Sequence, residues 1–175
     1  MVERLIGDKR LALVRDDITA MDVDAFVFDI TEDAKLGSGF GGAIQQRGGI
    51  VIQKELDAIG RVPTGEAVTT GAGILKAKVI IHANGPKFRE KDEEGKLRTA
   101  TRSALVRAEE KGVKRLAFSP IGTGLYQVPL DLCAQVMVDT ICHHLSNGSC
   151  LEEVLIVAPD VREHEVFKTT IQEGA

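Results

Sequence analysis

Aromatic residues are scarce in this sequence: tryptophan is absent, tyrosine occurs once, and aromatics make up only 4% of the 175 residues. A platform of aromatic side chains that stacks the bases of a single strand is therefore not expected. Lysine and arginine form no cluster or stripe, and the formal net charge is -4. Because a nucleic-acid surface needs dense positive charge, we do not expect nucleic acid as a partner.

Cysteines are also few, and their spacing carries no motif. Cys133, Cys142 and Cys150 are odd in number and include no C-x-x-C pair, which argues against a zinc site and a disulfide framework. The sequence also lacks an apolar run of signal-peptide or transmembrane length. We therefore expect a cytoplasmic protein with no metal ion, no cofactor and no membrane association. Nothing in these features predicts an oligomeric state.

Apolar residues reach 43% of the sequence, enough for the core of one compact domain over residues 1–175. Four or five helical patterns separate short apolar runs that have the length of strands. Two of these runs follow each other without a helix between them, so some antiparallel pairing is expected. The sequence predicts a three-layer α/β/α fold around a mixed sheet of about six strands. The predicted strands are residues 11–15, 24–30, 67–70, 78–83, 114–118 and 154–157.

Two glycine-rich loops follow predicted strands and precede helices. Residues 119–126 (SPIGTGLY) lie between the strand 114–118 and a helix from about residue 130, and residues 37–42 (GSGFGG) form the second loop. Glycine allows backbone N–H groups to turn towards an anion, and the following helix adds the positive end of its dipole. Both loops should open at one edge of the sheet, where they would suit two linked phosphates. A loop that merely turns the chain is the alternative for each.

Residues 37–42 also match the G-x-G-x-x-G fingerprint of dinucleotide-binding dehydrogenases. The loop begins some way after its strand, however, and the acidic residues about 20 positions on, Glu55 and Asp57, belong to a helical pattern. They could not reach a ribose there. The chain is also too short to add a catalytic domain, so we disfavour a dehydrogenase.

Five segments occur in the order typical of the macro domain family, which the chain resembles over nearly its whole length. The segments are residues 17–19 (DIT), 36–44 (LGSGFGGAI), 63–70 (PTGEAVTT), 79–86 (VIIHANGP) and 116–126 (LAFSPIGTGLY). The resemblance implies that the ligand is ADP-ribose or an ADP-ribosyl group on a protein. It also implies that Asp17 accepts from the adenine amino group beside the Ile18 backbone, and that Tyr126 covers the distal ribose. It assigns the pyrophosphate to eight loop residues: Ser38, Gly39, Phe40, Gly41, Gly122, Thr123, Gly124 and Leu125.

Several positions depart from the family pattern: Asp16 stands where the family usually carries a glycine, and residues 28–31 (FDIT) replace the family's N-A-A-N segment. Thr31 stands where the family carries the asparagine that holds the distal ribose, and Gly41 stands where hydrolytic members carry an acidic residue. Pro159 stands where an aromatic side chain often stacks on adenine. Asp29 is a further carboxylate near the site in sequence, but a residue within a strand can point either way, so we do not assign it as a base.

These departures favour a module that binds ADP-ribose without efficient catalysis, and we assign no catalytic residue. One alternative is an ADP-ribosyl hydrolase or O-acyl-ADP-ribose deacylase. In that case the ligand's own pyrophosphate would hold the attacking water, which the N–H groups of Gly122 or Gly124 would polarise. The second alternative is a module for another nucleotide or an RNA end, because both ends of the ADP-ribose site have changed.

Overall fold

The computed structural model describes residues 2–37, 40–124 and 126–173, except for the side chain of Phe40. Its strands are β1 Val2–Ile6, β2 Lys9–Val14, β3 Ala25–Asp29, β4 Ala67–Gly71, β5 Val79–Ala83, β6 Arg115–Phe118 and β7 Glu153–Val157. Its α-helices are α1 Phe40–Gly48, α2 Val51–Ile59, α3 Glu93–Glu110, α4 Leu130–Leu145 and α5 Val161–Glu173. A short 3-10 helix, Ile18–Ala20, follows β2.

The seven strands form one mixed sheet in the order β1-β2-β7-β6-β3-β5-β4. The five inner strands β2, β7, β6, β3 and β5 run parallel, whereas β1 and β4 pair antiparallel at the two edges. The antiparallel pair β4–β5 is the one expected from two strands without an intervening helix. The carboxyl ends of the parallel strands therefore meet at one edge of the sheet, where ligands bind in folds of this class.

Each face of the sheet is covered by helices, as the alternating side chains of β3 illustrate. Phe26 is fully buried among residues of α1 and α2, such as Ile44 and Ile52. Val27 is fully buried on the opposite face, in the cluster that contains residues of α3, α4 and α5. Burial on both faces explains why the inner strands read as continuous apolar runs. The predicted three-layer α/β/α fold is confirmed.

The prediction of about six strands was one short, because the sequence analysis missed β1. Residues of β1 alternate between partly buried and exposed, and Glu3 and Arg4 interrupt the apolar pattern of this edge strand. Tertiary contacts with α5 stabilise this strand, although its sequence pattern does not predict one. The guanidinium of Arg4 donates to the carbonyl oxygen of Thr170 at 3.1 Å and to that of Ile171 at 2.6 Å. These bonds satisfy carbonyls in the last turn of α5, where no N–H of the described residues donates to them.

Helices long and apolar enough to cross a membrane do not occur among the described residues. Within the same residues, no group of three or more histidine, cysteine, aspartate or glutamate side chains is arranged to hold a metal ion.

Candidate functional site

A cleft of about 690 Å³ opens at the carboxyl ends of the parallel strands. This volume lies within the range of small-molecule sites, about 300–1,000 Å³. Its walls come from the segments that follow β2, β3, β6 and β7. The lining residues are Asp16, Ile18, Phe28, Asp29, Ile30, Thr31, Lys35, Leu36, Gly41, Ser119, Pro120, Thr123, Gly124, Tyr126, Val157, Pro159, Asp160 and Glu163.

One wall contains the beginning of α1, where Gly41 lines the cleft. The first N–H groups of a helix have no acceptor within the helix, and the dipole places positive charge at the same end. A Cβ atom at residue 41 would lie 1.7 Å from the carbonyl oxygen of Leu36, so only glycine fits this backbone. An acidic side chain at this position would therefore require the Leu36 carbonyl to move.

The loop after β6 supplies a second set of donors. Thr123 and Gly124 line the cleft, and their backbone N–H groups have no acceptor among the residues that the structure describes. Gly122 differs from them. Its φ is 78°, and a Cβ atom on this residue would lie 2.8 Å from Cγ2 of Val128, so the position requires glycine. Its N–H donates to Oδ2 of Asp29 at 2.8 Å, and Gly122 does not line the cleft.

Asp29 ends β3 and borders the cleft on the side of α4 and α5. Its Oδ2 accepts the Gly122 N–H, whereas Oδ1 is shielded from solvent and has no partner among the described residues. Burial raises the pKa of this carboxyl to about 7; the Gly122 N–H opposes the shift, and the charge of Glu163 adds to it. Asp29 is thus a cleft residue whose carboxyl changes charge near neutral pH.

The remaining charged groups of the cleft are mostly acidic. Asp16, Asp160 and Glu163 line it, and burial followed by the nearby charge of Asp160 raises the pKa of Glu163. The cation among the lining residues is Lys35, whose ammonium pairs with Asp57 at 2.6 Å. An anion in the cleft would therefore depend on backbone N–H groups more than on side-chain cations.

The end of the cleft near β2 and β7 is mostly apolar. Ile18 and Val157 are almost fully buried there, and Phe28 and Pro159 line the same cavity. This environment suits a flat heterocycle that carries a few polar edge groups. The carboxylates of Asp16 and Asp160 lie at its border as acceptors.

Asp17 lies beside this apolar end but does not line the cleft. Its Oδ1 accepts the backbone N–H of Thr19 at 3.0 Å and the Thr19 hydroxyl at 2.7 Å, and Oδ2 pairs with Arg47. The Thr19 hydroxyl, followed by Arg47, lowers the pKa of Asp17. The side chain thus caps the 3-10 helix, while its neighbour Asp16 faces the cleft.

Two polar residues of the sequence-predicted site, Thr31 and Tyr126, also line the cleft. The Thr31 hydroxyl contacts the carboxylate of Asp33. Nζ of Lys87 lies 5.7 Å from the centroid of the Tyr126 ring. Burial, followed by the charge of Asp29, raises the pKa of the Tyr126 phenol.

The structure brings seven of the thirteen sequence-predicted site residues into the cleft: Ile18, Thr31, Gly41, Thr123, Gly124, Tyr126 and Pro159. Asp17 and Gly122 do not line the cleft. Ser38, Gly39 and Leu125 lie outside the described residues, as does the side chain of Phe40. Sequence reasoning did not assign Asp16, Phe28, Asp29, Lys35, Asp160 or Glu163, although Asp29 could have been suspected from its place at a strand end.

The Macro domain family profile matches residues 30–137, more than half of the chain. The chain belongs to the macro domain family. The resemblance inferred from the five motifs is thereby confirmed. Three of the motifs, residues 17–19, 36–44 and 116–126, contribute lining residues to the cleft of this macro domain.

This macro domain is similar to proteins of bacteria. O-acetyl-ADP-ribose deacetylase 1 of Pantoea vagans is 32% identical over 165 residues, which cover 91% of this chain and 96% of that protein. A Thermotoga maritima protein is 39% identical over 168 residues, and the match covers 91% of this chain but only 28% of that longer protein. Among solved structures, a mutant of the Oceanobacillus iheyensis macrodomain with ADPR is 26% identical, with a TM-score of 0.90 and coverage of 97% and 96%.

Proposed function

We propose that this macro domain binds ADP-ribose, or the terminal ADP-ribosyl group of a modified protein, in the cleft. The observation that carries the proposal is the pair of donor sets that face one cavity. Gly41 lies at the start of α1, and Thr123 and Gly124 have backbone N–H groups without acceptors among the described residues. Two such sets suit two linked phosphates.

Other residues of the cleft suit the remaining parts of the ligand, the adenine and the distal ribose. Ile18, Phe28 and Val157 offer an apolar slot for adenine, and Tyr126 and Thr31 line the same cavity. An amphipathic ring of this kind can cover a sugar and still reach water. The solved macrodomain with ADPR, which shares 26% identity and a TM-score of 0.90, supports the same ligand for this chain.

Backbone N–H groups that bind charged oxygens contribute about 1.5–3 kcal/mol each. Four such bonds total about 6–12 kcal/mol. With the apolar contacts of the cleft added and the cost of immobilising the ligand subtracted, we expect a dissociation constant of about 1–10 μM. Calorimetric titration with ADP-ribose, with AMP, ADP and NAD as controls, measures this directly. We expect ADP-ribose to bind most tightly, because it alone of the four combines the free distal ribose with the pyrophosphate. ADP-ribose that failed to bind, or that bound more weakly than ADP, would move the assignment to another nucleotide.

A hydrolytic function is the second candidate, favoured by the similarity to the Pantoea vagans O-acetyl-ADP-ribose deacetylase. Against it stand Gly41, whose backbone excludes any side chain, and Thr31 in place of a carboxamide. Incubation with O-acetyl-ADP-ribose and with ADP-ribosylated protein separates the two candidates. Product that forms no faster than in buffer supports a binding module, whereas enzyme-dependent release of ADP-ribose supports the hydrolase.

The adenine contact of Asp17 stays a prediction. If its carboxylate accepts from the adenine amino group, Asp17→Ala should weaken ADP-ribose binding by about 1–3 kcal/mol. The measurement compares the affinities of wild type and variant for ADP-ribose and for inosine diphosphate ribose. In the second ligand a 6-oxo group, which cannot donate a hydrogen bond, replaces the adenine amino group. We expect wild-type protein to prefer ADP-ribose and Asp17→Ala to lose that preference. Asp16→Ala is the matched control, because Asp16 is the carboxylate that lines the cleft. If only Asp16→Ala removes the preference, the contact belongs to Asp16.

An ADP-ribosylated protein as the physiological partner and a cytoplasmic location also stay predictions. Because the chain covers only 28% of the Thermotoga maritima relative, the domain can occur as one part of a longer protein.

A further inference from the structure

The carboxyl group of Asp29 is the feature of the cleft that the proposed ligand does not explain. The side chain borders the cavity in which an anion would lie, and its Oδ2 accepts the N–H of Gly122 at 2.8 Å. This bond attaches Asp29 to the loop whose next two residues, Thr123 and Gly124, offer N–H groups to the ligand. An ionised Asp29 would therefore place a negative charge beside the phosphate-binding loop.

No side-chain cation among the described residues compensates this charge at Asp29. Lys35 lines the cleft but pairs with Asp57, and the other charged lining residues are Asp16, Asp160 and Glu163. The Oδ1 atom of Asp29 also lacks a hydrogen-bond partner among the described residues. Asp29 is partly buried, and an oxygen that is shielded from solvent and unpaired makes the ionised carboxylate costly, whereas a neutral carboxyl group is tolerated.

We propose that Asp29 determines the charge state in which the cleft accepts its ligand: the anionic ligand binds to the protein with a neutral Asp29 carboxyl, so binding takes up a proton at this residue. The inference rests on the proposed function and adds proton linkage at the same site. A neutral carboxyl still accepts the Gly122 N–H through its carbonyl oxygen, so the loop keeps its conformation in both charge states.

The groups that face Asp29 come from each neighbouring element. Glu163 lies on α5, and its charge adds to the raised pKa of Asp29. Cys133 lies on α4 and Tyr126 ends the loop of residues 119–126. Burial, followed by the charge of Asp29, raises the pKa of each of them. On β5, the residue in register with Asp29 is Ala83, which carries no charge; His82 is in register with Phe28 and lies on the opposite face of the sheet. None of these groups supplies positive charge to Asp29 at neutral pH.

Because the pKa of Asp29 is about 7 without ligand, the carboxyl is partly ionised at physiological pH. A bound pyrophosphate adds negative charge and raises this pKa further. The sign follows from linkage: the complex holds more protons than the free protein, so affinity falls as the pH rises through the pKa of the free protein. The pyrophosphate of ADP-ribose keeps its charge over this range and contributes no titration of its own.

Calorimetric titration with ADP-ribose between about pH 5.5 and pH 8.5 tests the inference. We expect the dissociation constant to increase about five- to twentyfold from pH 6.5 to pH 8.5. At pH 7, titrations in PIPES and in imidazole, which differ in ionisation enthalpy, should report a net uptake of about 0.3–0.5 proton, because about half of the free protein is already protonated at Asp29.

Asp29→Asn is the decisive variant, because the carboxamide keeps an acceptor for Gly122 and cannot ionise. We expect it to bind ADP-ribose with one affinity over the whole pH range and to take up no proton. Glu163→Gln should keep the pH dependence but shift its midpoint to lower pH, since the charge of Glu163 adds to the pKa of Asp29. Melting temperatures establish that each variant is folded.

The outcomes separate the two proposals. Wild-type protein that binds ADP-ribose equally well at all pH values overturns the role of Asp29 and leaves the proposed function intact. The same holds if Asp29→Asn retains the wild-type pH dependence. Wild-type protein that binds no ADP-ribose at any pH overturns the proposed function and, with it, this inference. If Asp29→Asn fails to fold, proton uptake that persists in Glu163→Gln still assigns the proton to Asp29 and not to Glu163, the other cleft carboxyl with a raised pKa. Uptake that disappears in Glu163→Gln overturns the role of Asp29.

Discussion

Gly124→Val is expected to abolish detectable ADP-ribose binding and to leave the melting temperature within about 2 °C of wild type. Gly124 lines the cleft, and a Cβ atom built on it meets no described atom within 4 Å. Its φ lies outside the left-handed region, so valine introduces no backbone strain. The side chain would project into open space beside the N–H groups of the loop. Loss of two charge-assisted bonds corresponds to about 3–6 kcal/mol, or at least a 100-fold weaker affinity.

Two further glycine variants serve as controls for this result. Gly124→Ala adds one methyl group at the same site, so its affinity should lie between those of wild type and Gly124→Val. Gly122→Val should instead lower the melting temperature, because residue 122 has a positive φ and its Cβ would lie 2.8 Å from Cγ2 of Val128. Calorimetry and thermal unfolding on all three variants separate a blocked cleft from a damaged loop. An affinity for Gly124→Val within threefold of wild type would remove this loop from the site.

The sequence predicted the layers of this fold well, because the physical signals are local. Continuous apolar runs such as residues 25–28 indicate strands buried on both faces, and the short spacing between β4 and β5 indicates an antiparallel pair. The strand β1 carries no such signal. Its partly exposed edge position allows Glu3 and Arg4, and the contacts of Arg4 with the end of α5 join residues more than 160 positions apart. Local pattern reasoning has no access to such contacts.

The edge of the sheet that holds the cleft could also be predicted, because parallel strands align their carboxyl ends. The roles of individual residues in the cleft could not be predicted. Side-chain alternation places Asp29 on the same face of β3 as Val27, yet the cleft is formed only when the loop with Gly122 folds over that face. Likewise, the sequence cannot distinguish Asp16 from Asp17 as the cleft residue. That difference arises because Thr19 and Arg47 engage the carboxylate of Asp17.

The family motifs predicted where the loops lie better than which N–H groups of the loops are available to a ligand. Gly122 was expected to offer its N–H to the pyrophosphate, but this N–H donates to Asp29. The departure that matters is therefore Asp29, two positions before Thr31. Its carboxyl changes the charge of the cleft, and it accepts one of the N–H groups that the loop could otherwise offer to a ligand. Thr123 and Gly124 keep their N–H groups for a ligand.

Phe167→Ala is expected to destabilise the protein by about 3–5 kcal/mol, the largest stability effect that we predict. Phe167 is fully buried in the cluster between the sheet and α3, α4 and α5. Alanine would remove the ring and leave a cavity that the surrounding helices can fill only in part. Because α5 also carries Glu163, its packing holds one wall of the cleft. Urea unfolding followed by circular dichroism measures the change.

The matched control is Phe88→Ala, which removes the same side chain from a position with 45% exposure. We expect it to change the free energy of unfolding by less than about 1 kcal/mol, because nearly half of the residue is already exposed and its truncation leaves no enclosed cavity. A loss below about 1.5 kcal/mol for Phe167→Ala would mean that α5 packs against the sheet without this ring. The wall with Glu163 would then depend on the remaining contacts of α5, among them the bonds from Arg4 to the carbonyls of Thr170 and Ile171.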